Sequence, residues 1–169
     1  MKKSFPKNKS VFLNLISFYQ ELSKEFENDS IKLVVYGSLA YFVFTRDKTI
    51  EVKDIDLIVE EKYFKRIISI LKNHKIDYKY SKKWHVIKAY REKLKIDFDS
   101  KEYWHKNLPL KTRLFSFNGV KINCLSLNLL TDVYKKAYEN ARDKKKEYKI
   151  KYNNLKRLMS ITPPFFNCF

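Results

Sequence analysis

Apolar residues recur along this chain in two periods. Between residues 11 and 26, Phe12, Leu15, Ile16, Tyr19, Leu22 and Phe26 fall at helical spacing and predict an amphipathic helix, closed by a turn at Asn28-Asp29-Ser30. The same period predicts a helix over 62–73, with Phe64, Ile67, Ile68 and Leu71 inward. Another is predicted to run from Ser126, a candidate cap, to about 141, with Leu127, Leu130, Val133, Tyr134 and Ala137 inward. A last helix is predicted over 144–159, with Tyr148, Tyr152, Leu155 and Leu158 apolar, ended by Thr162-Pro163-Pro164. The tail residues Phe165, Phe166 and Phe169 are expected to pack back on the body. Short apolar runs predict strands over 31–36, 54–59, 76–80, 84–90 and 94–98, the last two joined as a hairpin by Arg91-Glu92-Lys93. Asn118-Gly119, between runs 114–117 and 120–124, is the clearest hairpin signal. Residues 39–44 are apolar almost throughout, which predicts a short helix buried behind the first strand.

The composition fits one domain, or a domain with a helical appendage: 169 residues, 44% of them hydrophobic, with enough Phe and Tyr to build a core. Net charge is +17. Such a field attracts polyanions and nucleotides, or else Lys simply fills exposed positions. Cys124 and Cys168 make no disulfide framework and fit a reducing compartment. No signal-peptide pattern or membrane-length apolar run is present, so a cytoplasmic location without membrane partners is expected.

The candidate chemistry lies in residues 33–59. Leu33-Val34-Val35-Tyr36 ends at Gly37-Ser38, and Asp54-Ile55-Asp56 opens a second apolar run, Leu57-Ile58-Val59. Side chains alternate faces along a strand, so Asp54 and Asp56 share one side while Ile55 turns into the core. Two carboxylates so close repel unless a positive charge lies between them. Mg²⁺ suits them, being a hard cation that takes one or two carboxylates and shares substrate phosphates. Asp97, bracketed by Ile96 and Phe98, would complete the site from a neighbouring strand. Asp99 shares that face but, next to Ser100, is placed in the following loop. Gly37 lets backbone approach a phosphate, and Ser38 offers a hydroxyl and an N–H at a helix start. Arg46, Lys48 and Lys53, in the loop 45–53, either reach a triphosphate or are solvated loop charges; Arg46 has the bidentate geometry that phosphate favours.

This order of motifs resembles the nucleotidyltransferase superfamily, with its DNA polymerase beta-like palm: Gly-Ser, then Asp-x-Asp on a strand, then a lone Asp on a later strand. The spacing is similar to that of the small antibiotic nucleotidyltransferases of lincosamide and aminoglycoside type. There Gly37-Ser38-x-Ala40 and Thr45-Arg46 would precede Asp54-Ile55-Asp56. The resemblance covers residues 33–98. It implies an α+β fold, a nucleotidyltransferase-like mixed β-sheet flanked by helices with a small C-terminal helical part. The catalytic domain would be 1–125 and the helical segment packed on it 126–169.

The implied reaction moves an NMP from a nucleoside triphosphate to an acceptor hydroxyl. Asp54, Asp56 and Asp97 would be the catalytic residues and the ligands of Mg²⁺ or Mn²⁺, with Asp97 alternatively a general base; Gly37, Ser38, Arg46 and Lys53 would bind the nucleotide. The acceptor is a small molecule such as an antibiotic, or tRNA or another nucleic acid, as for a minimal X-family-like polymerase. A non-catalytic, antitoxin-type binding protein is a third reading, against which the three intact Asp residues stand. A site shared across a homodimer is left open. Relatives carry an Arg, a Lys-Asp pair and a Leu after the hairpin; Arg142, Lys144 and Leu155 or Leu158 echo these, with Lys145 in place of the Asp.

Other residues carry weaker signals. Tyr103 or Trp104 either stacks on a base or packs at a rim. His74, His85 and His105 have no metal-ligand spacing and are read as structural, each able to titrate near neutral pH. The run Lys144-Lys145-Lys146, with Lys149, Lys151, Lys156 and Arg157, is a basic face for RNA, DNA or phosphates, or a solvated helix surface.

Overall fold

The computed structural model describes residues 5–161. Their elements are α1 (Lys9–Asn28), β1 (Val34–Tyr36), α2 (Gly37–Thr45), β2 (Ile55–Val59), α3 (Phe64–Asn73), β3 (Asp77–Ser81), β4 (Val86–Arg91), β5 (Leu94–Ser100), α4 (Lys101–Trp104), β6 (Thr112–Phe117), β7 (Val120–Leu125), α5 (Leu127–Asn140) and α6 (Lys145–Ile161). The strands form one seven-stranded sheet in the order β3-β4-β5-β2-β1-β7-β6. β2 runs parallel to β5 and β1 parallel to β7, while the other neighbours are antiparallel. This is the α+β mixed sheet flanked by helices that the motif order implied. Among the described residues no helix is long and apolar enough to cross a membrane.

Strand alternation divides the sheet into two unlike faces. Register sets Ile55 opposite Ile96, Leu57 opposite Phe98 and Val35, and Ile87 opposite Phe98. These apolar residues form one face of the main core with Phe12, Leu15, Phe26, Ile67 and Leu71 of α1 and α3. The opposite face is apolar only in part, where Val34, Ile58 and Leu125 meet Leu129 and Val133 of α5. Elsewhere it carries carboxylates: Asp56 lies opposite Asp97, and Asp99 opposite Ile58. A one-residue slip of β5 would turn Asp97 into the core and Phe98 out, so core packing fixes the carboxylate register.

Local signals explain the element ends. The turn after α1 closes with Ile31 N–H donating to the Phe26 carbonyl across Ser30, which has φ 56, so β1 starts at Val34 rather than at 31. α2 is buried nearly all round, through Leu39, Ala40, Tyr41, Phe42 and Val43. The loop from α2 to β2 is anchored on α1: Asn8 Nδ2 donates to the Val52 carbonyl at 2.8 Å, and Val52 N–H donates to Asn8 Oδ1 at 3.0 Å. Asn118 and Gly119 both have positive φ, as a two-residue hairpin of this hand needs. Ser126 precedes α5 without its side chain bonding the first turn.

Two boundaries differ from the sequence expectation in ways that affect the site. β5 continues to Ser100, because β2 pairs with it as far as Val59 opposite Ser100, so Asp99 is on the strand and not in a loop. β4 begins at Val86, which leaves Trp84 in the turn after β3. At the other end of the chain, α6 folds back on α5 and α2 and buries Leu155 and Lys151. The expected stop at 162–164 and the aromatic tail lie outside the described residues, as does Cys168; Cys124 is a buried free thiol.

Candidate active site

Two neighbouring strands assemble the acidic cluster. Asp54 sits just before β2, Asp56 on it, and Asp97 and Asp99 on β5. Lys95, two residues before Asp97, reaches between two of them, with Nζ 2.9 Å from Asp54 Oδ2 and 3.0 Å from Asp97 Oδ2. Burial alone would lower the Lys95 pKa, but hydrogen bonds to Asp54 and Asp97 outweigh it and hold the ammonium above its usual range. Lys88, opposite Asp97 on β4, lies 3.7 Å from Asp97 Oδ2. From β1, the Tyr36 hydroxyl donates to Asp99 Oδ2 at 2.5 Å.

Positive charge does not balance this cluster. Burial pushes Asp56 up to about 8, helped by the charges of Asp54, Asp99 and Asp97. Burial likewise raises Asp99 to about 6, against the Tyr36 hydrogen bond and with Asp97 adding to it. Asp97 Oδ1 is buried without a hydrogen-bond partner. With all four carboxylates ionised, the ammoniums of Lys88 and Lys95 leave two negative charges uncompensated. Hard oxygen donors, an orphaned buried oxygen and a deficit of two charges fit a divalent cation such as Mg²⁺. Among the described residues no three carboxylate, thiol or imidazole groups converge as a ready cage, and the Lys95 ammonium lies between Asp54 and Asp97.

The turn from β1 to α2 stands against these acids. Gly37 has φ +65, and a Cβ there would collide with Asp56 Oδ2, so the position admits only glycine without displacing the carboxylate. Ser38 follows, and from α6 the buried Lys151 reaches it, with Nζ 3.3 Å from Ser38 Oγ and 2.8 Å from Glu147 Oε1. The same ammonium lies over the rings of Tyr41 and Tyr134 at 5.8 and 5.6 Å. Ser38, Asp54, Lys144 and Lys151 line two contiguous clefts. One, of about 330 Å³, reaches Gly37 and Asp56; the other, of about 540 Å³, opens past Tyr41 to Lys53. One end of the groove is therefore acidic, and the other presents a helix start with a buried ammonium.

Neither a protein-family model nor a curated protein matches the sequence. Solved structures do match in fold. An antigenic nucleotidyltransferase-like protein from Paracoccidioides brasiliensis superposes with a TM-score of 0.65 at 13% identity, covering 85% of this chain and 76% of that one. ANT(2'')-Ia, solved in complex with adenylyl-2''-tobramycin, gives 0.65 at 14% identity, covering 87% and 89%. The lincomycin-bound lincosamide antibiotic adenylyltransferase LnuA gives 0.58 at 14% identity, covering 85% and 96%. The chain has the nucleotidyltransferase fold.

Within this nucleotidyltransferase fold, the structure brings together Asp54, Asp56, Asp97, Gly37 and Ser38, as the residue spacing anticipated. Lys53 lines the wider cleft, with Nζ 3.1 Å from Glu51 Oε2. Arg46 is elsewhere: it caps the far end of α2, a helix of nine residues, with its guanidinium 6.0 Å from the Phe42 ring centre. That end is about 13 Å from Gly37 at the helical rise, and Arg46 lines neither cleft. Asp99, expected in the loop after the strand, joins the site from β5, and Lys95, which the sequence reading does not single out, lies on the same face by alternation. In sequence Lys151 is one lysine of a basic face, yet it falls four residues before Leu155 on the buried side of α6. His105 does not titrate near neutrality, since burial lowers it to about 4. His85 is tied to Glu61, with Nδ1 2.8 Å from Oε1.

Proposed function

We propose that this protein is a metal-dependent nucleotidyltransferase that moves an NMP from a nucleoside triphosphate to an acceptor hydroxyl. One observation carries the reading: Asp56 and Asp97 lie in register on adjacent parallel strands, against a glycine turn that a buried lysine faces. The triphosphate lies along the Gly37–Ser38 turn. Its oxygens accept from backbone N–H groups at the start of α2 and from Lys151, which exchanges Ser38 and Glu147 for phosphate. Asp54, Asp56 and Asp97 would hold Mg²⁺ or Mn²⁺, which supplies positive charge against the phosphates and the leaving pyrophosphate. Lys95 offsets part of the cluster's charge and links Asp54 to Asp97. The acceptor oxygen bonds to the α-phosphorus, the bond from that phosphorus to the β-bridging oxygen breaks, and the hydroxyl proton leaves to the carboxylates of Asp97 and Asp99. Catalysis is then mostly positioning and charge placement. α6 belongs to the nucleotide site through Lys151.

Calorimetric titration of each NTP with Mg²⁺ tests this. Binding should weaken at least tenfold in Lys151→Met and lose its metal dependence in Asp56→Ala, with both variants retaining the wild-type circular dichroism. Equal NTP affinity in wild type and both variants would remove the nucleotide from this groove.

A further inference from the structure

We infer that the paired tryptophans Trp84 and Trp104 form a stacking platform for the terminal nucleotide of a single-stranded polynucleotide, which presents its hydroxyl to Asp97 and Asp99. This rests on the nucleotidyl-transfer reading and names its acceptor class. Trp84 and Trp104 are the only tryptophans in the chain, and they stand side by side about half exposed, at 48% and 47%. Large apolar surface left in water in this way usually marks a binding site. The rings are 6.1 Å apart and 21° from parallel, and Trp104 Nε1–H donates to the Trp84 carbonyl at 2.7 Å. Tyr103, edge-on to Trp104 at 5.1 Å, stacks on His85 at 4.5 Å and 16°, and His85 is held by Glu61. Ser100 Oγ donates to Glu61 Oε2 at 2.9 Å and accepts from Tyr103 N–H at 3.1 Å. The platform is thus braced from the end of β5 and costs little ordering on binding.

Its position gives it a role. Trp84, Trp104, Val86 and Lys88 wall a shallow cleft of about 400 Å³ whose floor includes Asp97 and Asp99. This cleft and the nucleotide groove reach the acidic cluster through different residues: Asp54 and Asp56 line one, Asp97 and Asp99 the other. An acceptor entering here reaches the carboxylates without occupying the groove that Lys151 lines.

Charge selects the acceptor. Lys83 Nζ lies 5.1 Å from the Trp84 ring centre, and Lys82, Lys101 and Lys106 flank the two tryptophans in sequence. At the rim Glu61 is engaged with His85 and Ser100, and Glu102 with the Glu61 N–H, while the carboxylates of Asp97 and Asp99 line the cleft itself. On a chain of net charge +17, this lysine rim favours a polyanion over a polycationic antibiotic. Aromatic faces flanked by lysines are how proteins hold single strands, by stacking bases and tracking phosphates.

Both tryptophans lie in the platform, so intrinsic fluorescence reads it directly. Titrating the full chain in EDTA with dodecamers of oligo-uridylate and oligo-thymidylate should quench the tryptophans in a salt-dependent way; the two arms separate RNA from DNA. Affinity should fall about tenfold in Trp104→Ala, fall also in Lys83→Glu, and be kept in Trp104→Phe, while NTP binding with Mg²⁺ is unchanged in all three. NTP binding without oligonucleotide quenching overturns the platform and leaves the transferase reading standing. Oligonucleotide quenching without NTP binding keeps the platform and overturns the transferase. Quenching by lincomycin or tobramycin alone, or a dimer that Trp104→Ala dissociates, assigns the surface to another occupant and overturns the proposal.

Discussion

The crowding of carboxylates should be measurable as a stability that falls with rising pH in metal-free protein. Asp56 is raised from an ordinary 3.8 to about 8. Between those values the folded chain keeps a proton that the unfolded chain has released. The folded state therefore binds more protons, and unfolding free energy declines as pH rises. The stability Asp56 contributes is full below about pH 4 and is lost as pH climbs through about 8. At about 1.4 kcal/mol for each pKa unit, the three units from 3.8 to neutrality set an upper bound of ~4 kcal/mol. Asp56 is half-buried, and solvent screening reduces the effect to about 2 kcal/mol. Asp56→Asn keeps the shape and removes the titration. Urea unfolding in EDTA, at about pH 5 and about pH 8, should show wild type losing about 2 kcal/mol more than the variant over that interval. A smaller fall should persist in the variant between about pH 4 and 6, from Asp99, which is raised to about 6. Mg²⁺ should restore wild-type stability more at the higher pH, where the carboxylates are ionised. Parallel curves for wild type and Asn variant, with no differential effect of Mg²⁺, would show that these carboxylates are not crowded as described.

Two further substitutions test how the groove is held. Gly37→Ala and Gly119→Ala both place a side chain at positive φ, each costing about 1–2 kcal/mol of backbone strain, but only at Gly37 does the new Cβ meet Asp56. Thermal melts should show the larger loss at Gly37, and titration should show NTP binding lost there and kept in Gly119→Ala; equal effects would deny the close approach. Leu155→Ala should cost about 2–5 kcal/mol in urea unfolding, since Leu155 is fully buried. It should also weaken NTP binding, because the same helix carries Lys151; unchanged affinity would separate α6 from the nucleotide groove.

The fold and the acidic pair were legible because both rest on local periodicity. Ile55, Leu57, Ile96 and Phe98 had to face the core, and alternation then forces Asp56 and Asp97 onto the opposite face wherever the strands pair. What remained hidden depends on partners distant in sequence. Ser100 looks like a loop residue, but β2 pairs with it, and this carries Asp99 into the sheet and into reach of Tyr36. Arg46 looks like a phosphate ligand from its neighbours in sequence, but the length of α2 carries it to the wrong end of the helix. Lys151 shows the limit most clearly. In sequence it is one of several lysines on α6, and its charge argues for solvent. Yet Tyr148, Leu155 and Leu158 pack against the core, and the helical period that aligns them also takes in residue 151. A lysine at an apolar position of an amphipathic helix is a conflict between charge and pattern. Sequence alone cannot say which prevails, since the outcome depends on what the helix packs against. Here α6 meets the start of α2, where Ser38, Glu147 and two tyrosine rings receive the ammonium. The same packing that makes burial tolerable also aims the charge at the nucleotide groove.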